Sequence, residues 1–186
     1  AYRWLLEEGP DGPAKAQHMI VAGDSAGGNL ILSLIAWLRD QGLRQADAAI
    51  AFSPLTDGVL EAPSLRAHIA SDPVLGPSFG ALARLPTVAL LWFSWFATRM
   101  RPADPRVSPL RGSLAGLPPV LVQASSSEML LDDARRYVAK AQAAGSPVQL
   151  QTWPNMVHVW QIFTDLPEAE EAYGRVGEFI EAALAR

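Results

Sequence analysis

Apolar residues in this chain follow two patterns. Short runs stand within His18–Gly23, Ala48–Phe52, Pro119–Ala124 and Val148–Trp153, each four to six residues long. Between them, apolar residues recur at helical spacing over Ser25–Gln41, Leu131–Ala144 and Glu168–Ala185. The runs predict strands and the periodic stretches predict helices, two of them stopped by Gly42 and Gly145. Strands alternating with helices of a dozen or more residues imply βαβ units and a parallel sheet, hence an α/β fold in one domain, 1–186. The opening AYRWLLEEG reads as the last turns of a helix ended by Gly9-Pro10, so further sequence is expected upstream. Residues 55–105 break the rhythm as an irregular insertion, with helices near 78–85 and 87–100. From 55 to 118 the chain carries prolines at 63, 73, 77, 86, 102, 105, 109 and 118.

Composition narrows the chemistry. The 186 residues are 49% hydrophobic and 18% charged, enough for one sizeable core. A formal charge of −4 and the lack of any basic run argue against nucleic acid as partner. With no cysteine, thiol chemistry and thiolate metal sites are excluded. His18, His68 and His158 lie far apart in the chain, so no metal or other cofactor is expected. The most apolar stretch, Leu85–Ala97, is too short to span a bilayer and predicts a helix packed on the domain. No signal-peptide pattern opens the chain, which leads us to expect a cytoplasmic location.

The candidate chemistry lies at Gly23-Asp24-Ser25-Ala26-Gly27-Gly28, between the first strand and the first long helix. G-x-S-x-G in a strand–turn–helix context places a serine on a strained turn with its hydroxyl exposed. The flanking Gly23 and Gly27 are expected to relieve crowding, and the helix start supplies a free N–H at Ala26 for developing negative charge. Asp24 is a candidate supporting acceptor. A serine nucleophile needs a base, and the base needs a carboxylate to orient it, here in the order Ser, acid, His. Glu128 follows the third strand and His158 follows the fourth, so each falls at a strand's carboxyl end. Asp132 and Asp133 compete with Glu128 for the acid, and Asp57 is a further loop aspartate. His158 Nε2 is expected about 2.6–3.2 Å from Ser25 Oγ, and longer without ligand.

GDSAGGNL resembles the nucleophile elbow of the hormone-sensitive-lipase-like branch of the α/β-hydrolases, the bacterial esterases. SPLTDG, SDPVL, DPRVSPL, GLPPVLVQ, EMLLDDARRYVAKAQAAG and WPNMVHVWQIF resemble later segments of that family in the same order. The resemblance runs from about Arg3 to Arg186. It implies an α/β-hydrolase fold and cleavage of short- to medium-chain carboxylic esters without a cofactor. It also implies Ser25 as nucleophile, His158 as general base and acid, and Glu128 as the orienting acid. Trp92, Phe93, Trp95 and Phe96 are candidates for an apolar substrate entrance.

Two departures shape further expectations. Where the family often has glycine before the acid, this chain reads Ala-Ser-Ser-Ser. The family's glycine-rich oxyanion loop, first strands and N-terminal cap have no counterpart in these residues. Each absent donor costs roughly 100- to 1,000-fold in rate, so a weak or silent scaffold retaining the triad is the alternative function. Without the earlier strands, the first strand should also present an apolar edge, which predicts a homo-oligomer formed there rather than at Val148–Trp153.

Overall fold

The computed structural model describes residues 1–9 and 12–185, so Pro10 of the expected Gly9-Pro10 stop lies outside the described residues. A short helix, α1 (Tyr2–Leu5), is followed by a two-residue antiparallel hairpin of β1 (Glu8–Gly9) and β2 (Gly12–Pro13). The main sheet contains β3 (Ile20–Asp24), β4 (Ala48–Phe52), β5 (Val120–Ser125) and β6 (Val148–Trp153), all parallel and in that spatial order. Helix α2 (Ser25–Asp40) connects β3 to β4. Three helices, α3 (Ser64–Ala67), α4 (Leu75–Ala83) and α5 (Thr87–Thr98), lie between β4 and β5. Helix α6 (Leu131–Ala143) precedes β6, and α7 (Pro167–Leu184) closes the chain.

The two-residue period of a strand divides the core. Ala49, Ala51, Val120 and Val122 meet Ile31, Leu32 and Ile35 of α2 and Ala134, Tyr137 and Val138 of α6. The alternate residues Ala48, Ile50 and Leu121 meet Val176, Phe179 and Ile180 of α7 on the other face. A sheet covered on both faces explains why β4 and β5 read as unbroken apolar runs. All six residues of β5 are buried, whereas among the described residues β3 pairs with β4 alone and is only partly covered.

The opening helix ends at Leu5, and Glu8–Gly9, expected as its last turn, pairs as a strand instead; elsewhere the observed boundaries follow the expected ones closely. The first strand starts at Ile20 rather than His18, because Met19 N–H donates to Asp47 Oδ2 at 2.6 Å and His18 points to solvent. The helix expected near 78–85 forms over 75–83. The single turn of α3 was not expected. It is held by contacts remote in sequence, with Ser64 Oγ donating to Met129 O and Ser64 N to Asp132 Oδ2. No single described helix is long and apolar enough to cross a membrane. Helix α5 buries only Leu90 and Ser94, so the expectation of a helix packed on the domain holds for one face.

Candidate active site

Ser25 sits on the sharp turn from β3 into α2 with φ of 50°, a left-handed conformation that serine seldom adopts. A Cβ on Gly23 would collide with the carbonyl oxygen of Gly27 and lie 3.0 Å from Gly28 N. A Cβ on Gly28 would lie 2.9 Å from Cβ of Pro54. Gly27 has room, with only Asp24 Oδ1 at 3.8 Å. The tight turn therefore depends on Gly23 and Gly28, not on Gly27 as the sequence suggested. Ala26 occupies the exposed first turn of α2, where main-chain N–H groups have no intrahelical acceptor. Asp24 is exposed and caps nothing with its side chain, so the structure gives it no supporting hydrogen bond at the helix start.

Glu128 and His158 meet. The fully buried Glu128 accepts from Ser125 N–H at Oε1 (3.0 Å), and its Oε2 lies 2.8 Å from His158 Nδ1. A carboxylate at Nδ1 assigns the proton to that nitrogen and leaves a lone pair on Nε2. His158 Nε2 is buried without a hydrogen-bond partner, so the expected bond to Ser25 Oγ is not formed in this structure. Such contacts are often loose before substrate binds. Asp132 accepts from Ser64 N–H, and Asp133 accepts from Thr56 and Asp57 N–H at 2.7 and 3.0 Å. Neither reaches the imidazole. His68 bonds Ser71 Oγ, and His18 lies exposed two residues before β3.

The loop carrying His158 is strained. Asn155 and Val159 have φ of 57° and 54°, the second unusual for a β-branched residue. Val159 N–H donates to Oγ of Ser53, itself left-handed at φ 46°, and Gln161 Nε2 donates to Gln123 Oε1. Val159 also shares a hollow with Gly23 and Asp24, which brings this loop beside the serine turn. Backbone strain of this kind persists only where surrounding contacts enforce it. Among the described residues no group of His, Asp and Glu is arranged to hold a metal ion.

A cavity of about 160 Å³ opens at Ser25, lined by Leu55, Leu60, Leu65, Leu75, Phe79 and Met129. A second, of about 330 Å³, shares Ala26, Leu55, Leu60 and Phe79 and reaches Phe93, Ala97 and Thr98. Phe93 is thus the member of the expected aromatic entrance that lines a cavity reaching Ala26, the residue after the serine. Trp92 and Trp95 line a separate hollow with Val88 and Leu91, and the Phe96 ring lies tilted against Trp92 at 6.0 Å and edge-to-face with Trp95 at 5.0 Å. The 3.6-residue period accounts for this division, since 93 and 97 share one face of α5 and 88, 92, 95 and 96 the other. The leucines and Phe79 carried no signal in the sequence, because nothing in their spacing separates a cavity wall from a core.

Beside the site, Asp57 is fully buried and paired with Arg111 (2.8 Å) and Arg136 (3.1 Å). Burial pushes the neighbouring Asp133 carboxyl up to about 7, against the lowering effect of its bonds from Thr56 and Asp57 N–H. A native carboxyl titrating above its unfolded value near 4 keeps a proton that the unfolded chain has released. Stability from this group is therefore present at low pH and lost as pH rises from about 4 to about 7, by about 1.4 kcal/mol per unit at most. Urea unfolding of the wild type and Asp133→Asn at pH 5 and pH 7.5 checks this. The wild type should lose stability relative to the variant, whose amide oxygen still accepts both N–H groups. Parallel pH dependence in the two proteins would contradict the shift.

Comparison with known proteins agrees with this fold. A family profile described as alpha/beta hydrolase fold matches residues 1–162. An acetyl-hydrolase of Streptomyces hygroscopicus is 37% identical over 185 residues, covering 98% of this chain and 57% of that protein. The crystal structure of an esterase/lipase from an uncultured bacterium superposes with a TM-score of 0.83 at 36% identity, over 100% of this chain and 58% of the other. An esterase described as belonging to the bacterial hormone-sensitive lipase family gives 0.79 at 34% identity, over 98% and 58%. The chain spans a little over half the length of these relatives. With a four-stranded parallel sheet between helices and a strained serine turn at the end of β3, the chain belongs to the α/β-hydrolase family, in its hormone-sensitive-lipase-like branch.

Proposed function

We propose that this protein is a serine carboxylesterase acting through an acyl-enzyme on Ser25. The observation that carries the reading is the buried Glu128–His158 pair, whose free Nε2 belongs to a loop packed beside the serine turn. His158 Nε2 takes the Ser25 proton as Oγ attacks the ester carbonyl carbon. The oxygen that becomes negative is stabilised by the Ala26 N–H and the start of α2. Collapse of the tetrahedral species expels the alcohol, which receives the proton from His158. Water, deprotonated by the same nitrogen, then releases the carboxylic acid and restores Ser25. Glu128 holds the imidazole with its proton on Nδ1 throughout and steadies the imidazolium. No metal or organic cofactor enters these steps.

The cavity at Ser25 supports a short acyl group. A void of about 150 Å³ holds a benzene-sized guest of about six carbons, and this one is about 160 Å³ with apolar walls. Fluorophosphonate labelling followed by a p-nitrophenyl ester series from acetate to octanoate tests the reading. Label should map to Ser25, and kcat/KM should fall beyond about six acyl carbons. Turnover below that of the longer relatives is expected if the Ala26 N–H is the main oxyanion donor. Absence of labelling would favour the silent scaffold.

The β3 edge supports self-association. Ile20 and Val21 are half-buried, Ala22 is exposed, and among the described residues strand pairing is satisfied on the β4 side only. Light scattering at tens of micromolar should show an oligomer, with slowed amide exchange at Ile20 and Val21. A monomer with those amides exchanging freely would exclude β3 as the contact.

A further inference from the structure

We infer that the Ser125 hydroxyl is a positioning group that fastens the loop bearing His158 to the turn bearing Glu128. The inference rests on the roles proposed for those two residues. Ser125 ends β5 and is fully buried. Its N–H donates to Glu128 Oε1 at 3.0 Å, and its hydroxyl donates to the carbonyl of Met156 at 2.6 Å. The same hydroxyl oxygen accepts from Ser127 N–H at 3.1 Å. One residue thus grips the carboxylate through its main chain and the histidine loop through its side chain.

The histidine loop needs such a tie. Past Trp153 it leaves the sheet, and its path bends through left-handed residues on either side of His158. Two hydroxyls hold it there. Ser125 Oγ binds Met156 two residues before the imidazole, and Ser53 Oγ binds Val159 one residue after it. The Ser125 bond is the shorter of the two, and it starts from the residue that also donates its N–H to the carboxylate. Glycine at this position keeps the N–H to Glu128 but has no hydroxyl for Met156. The serine in Ala-Ser-Ser-Ser is therefore this chain's own means of setting the 2.8 Å contact between Nδ1 and Oε2. Misplacement of a reacting group by about 1 Å costs on the order of 100-fold in rate, so a secondary tie has kinetic weight.

The test compares the full chain with Ser125→Ala and Ser125→Cys, the latter similar in volume but a poor donor. Three readouts are taken: the low-field proton resonance of His158 Nδ1–H, the fluorophosphonate constants kinact and KI, and the thermal midpoint. In both variants the resonance should broaden or move upfield and kinact should fall about tenfold, with KI unchanged. If the alanine variant does not fold, the cysteine variant decides by the same readouts. An unaltered resonance and kinact overturn the inference, whether or not the midpoint falls. Failure of the wild type to take label would instead remove the proposed function. The resonance would still report whether Ser125 sets the Glu128–His158 contact.

Discussion

Alanine at Ser25 should abolish fluorophosphonate capture and lower ester turnover by at least about 1,000-fold, to whatever the cavity and the α2 terminus supply without a nucleophile. His158→Ala should cost about as much, and the double variant little more, because nucleophile and base act as one unit. Glu128→Gln should cost less than either. It leaves Ser25 and the imidazole in place while removing the carboxylate that fixes the proton on Nδ1. The ordering separates this mechanism from turnover by a contaminant or by a solvent-exposed imidazole such as His18. Steady-state kinetics of the three single variants and the double variant provide the measurement. Turnover that survives Ser25→Ala would remove the acyl-enzyme from the proposal.

Replacing Asp57 by alanine is expected to destabilise the protein by about 3–5 kcal/mol, lowering the thermal midpoint by roughly 10 °C. The side chain is fully buried between Arg111 and Arg136, and its Oδ1 also accepts from Val59 N–H. Removing it leaves two guanidinium groups facing a cavity, one with an Nη1 that already lacks a partner. Arg111 retains Glu61 at 2.7 Å, which limits the loss on that side. The effect should reach the site, because Asp133 ties the same loop to α6 through Thr56 and Asp57 N–H, two residues from the cavity-lining Leu55. Thermal unfolding followed by circular dichroism reads the change. A midpoint within about 2 °C of wild type would mean that the ion pairs contribute no net stability.

How far each feature was legible depended on the range of the forces behind it. Helix α2 and the four main strands could be read because each has its own period or apolar run, and burial on both faces of β4 and β5 removes alternation. The single turn of α3 could not be read, since Ser64 is held by Met129 and Asp132, more than sixty residues away. Which of Trp92, Phe93, Trp95 and Phe96 faces the serine side could not be read for a related reason. Composition marks a helix as apolar but says nothing of which face meets the serine.

The amino-acid sequence by itself determined the α/β order of elements, the serine turn, and the succession of Ser25, Glu128 and His158 at strand ends. Each of these rests on local periodicity, on glycine at a crowded turn, or on chain order. Only the tertiary structure decided that Glu128, and not Asp132 or Asp133, meets the imidazole, and that Gly28 rather than Gly27 is required by the neighbouring Pro54. It alone showed Asp57 and Asp133 as a buried cluster and Ser125 as a link between two loops. Most of these outcomes depend on distances of about 3 Å between segments 26 to 77 residues apart. Such distances follow from how helices and loops pack on the sheet, and no local pattern in the chain encodes them.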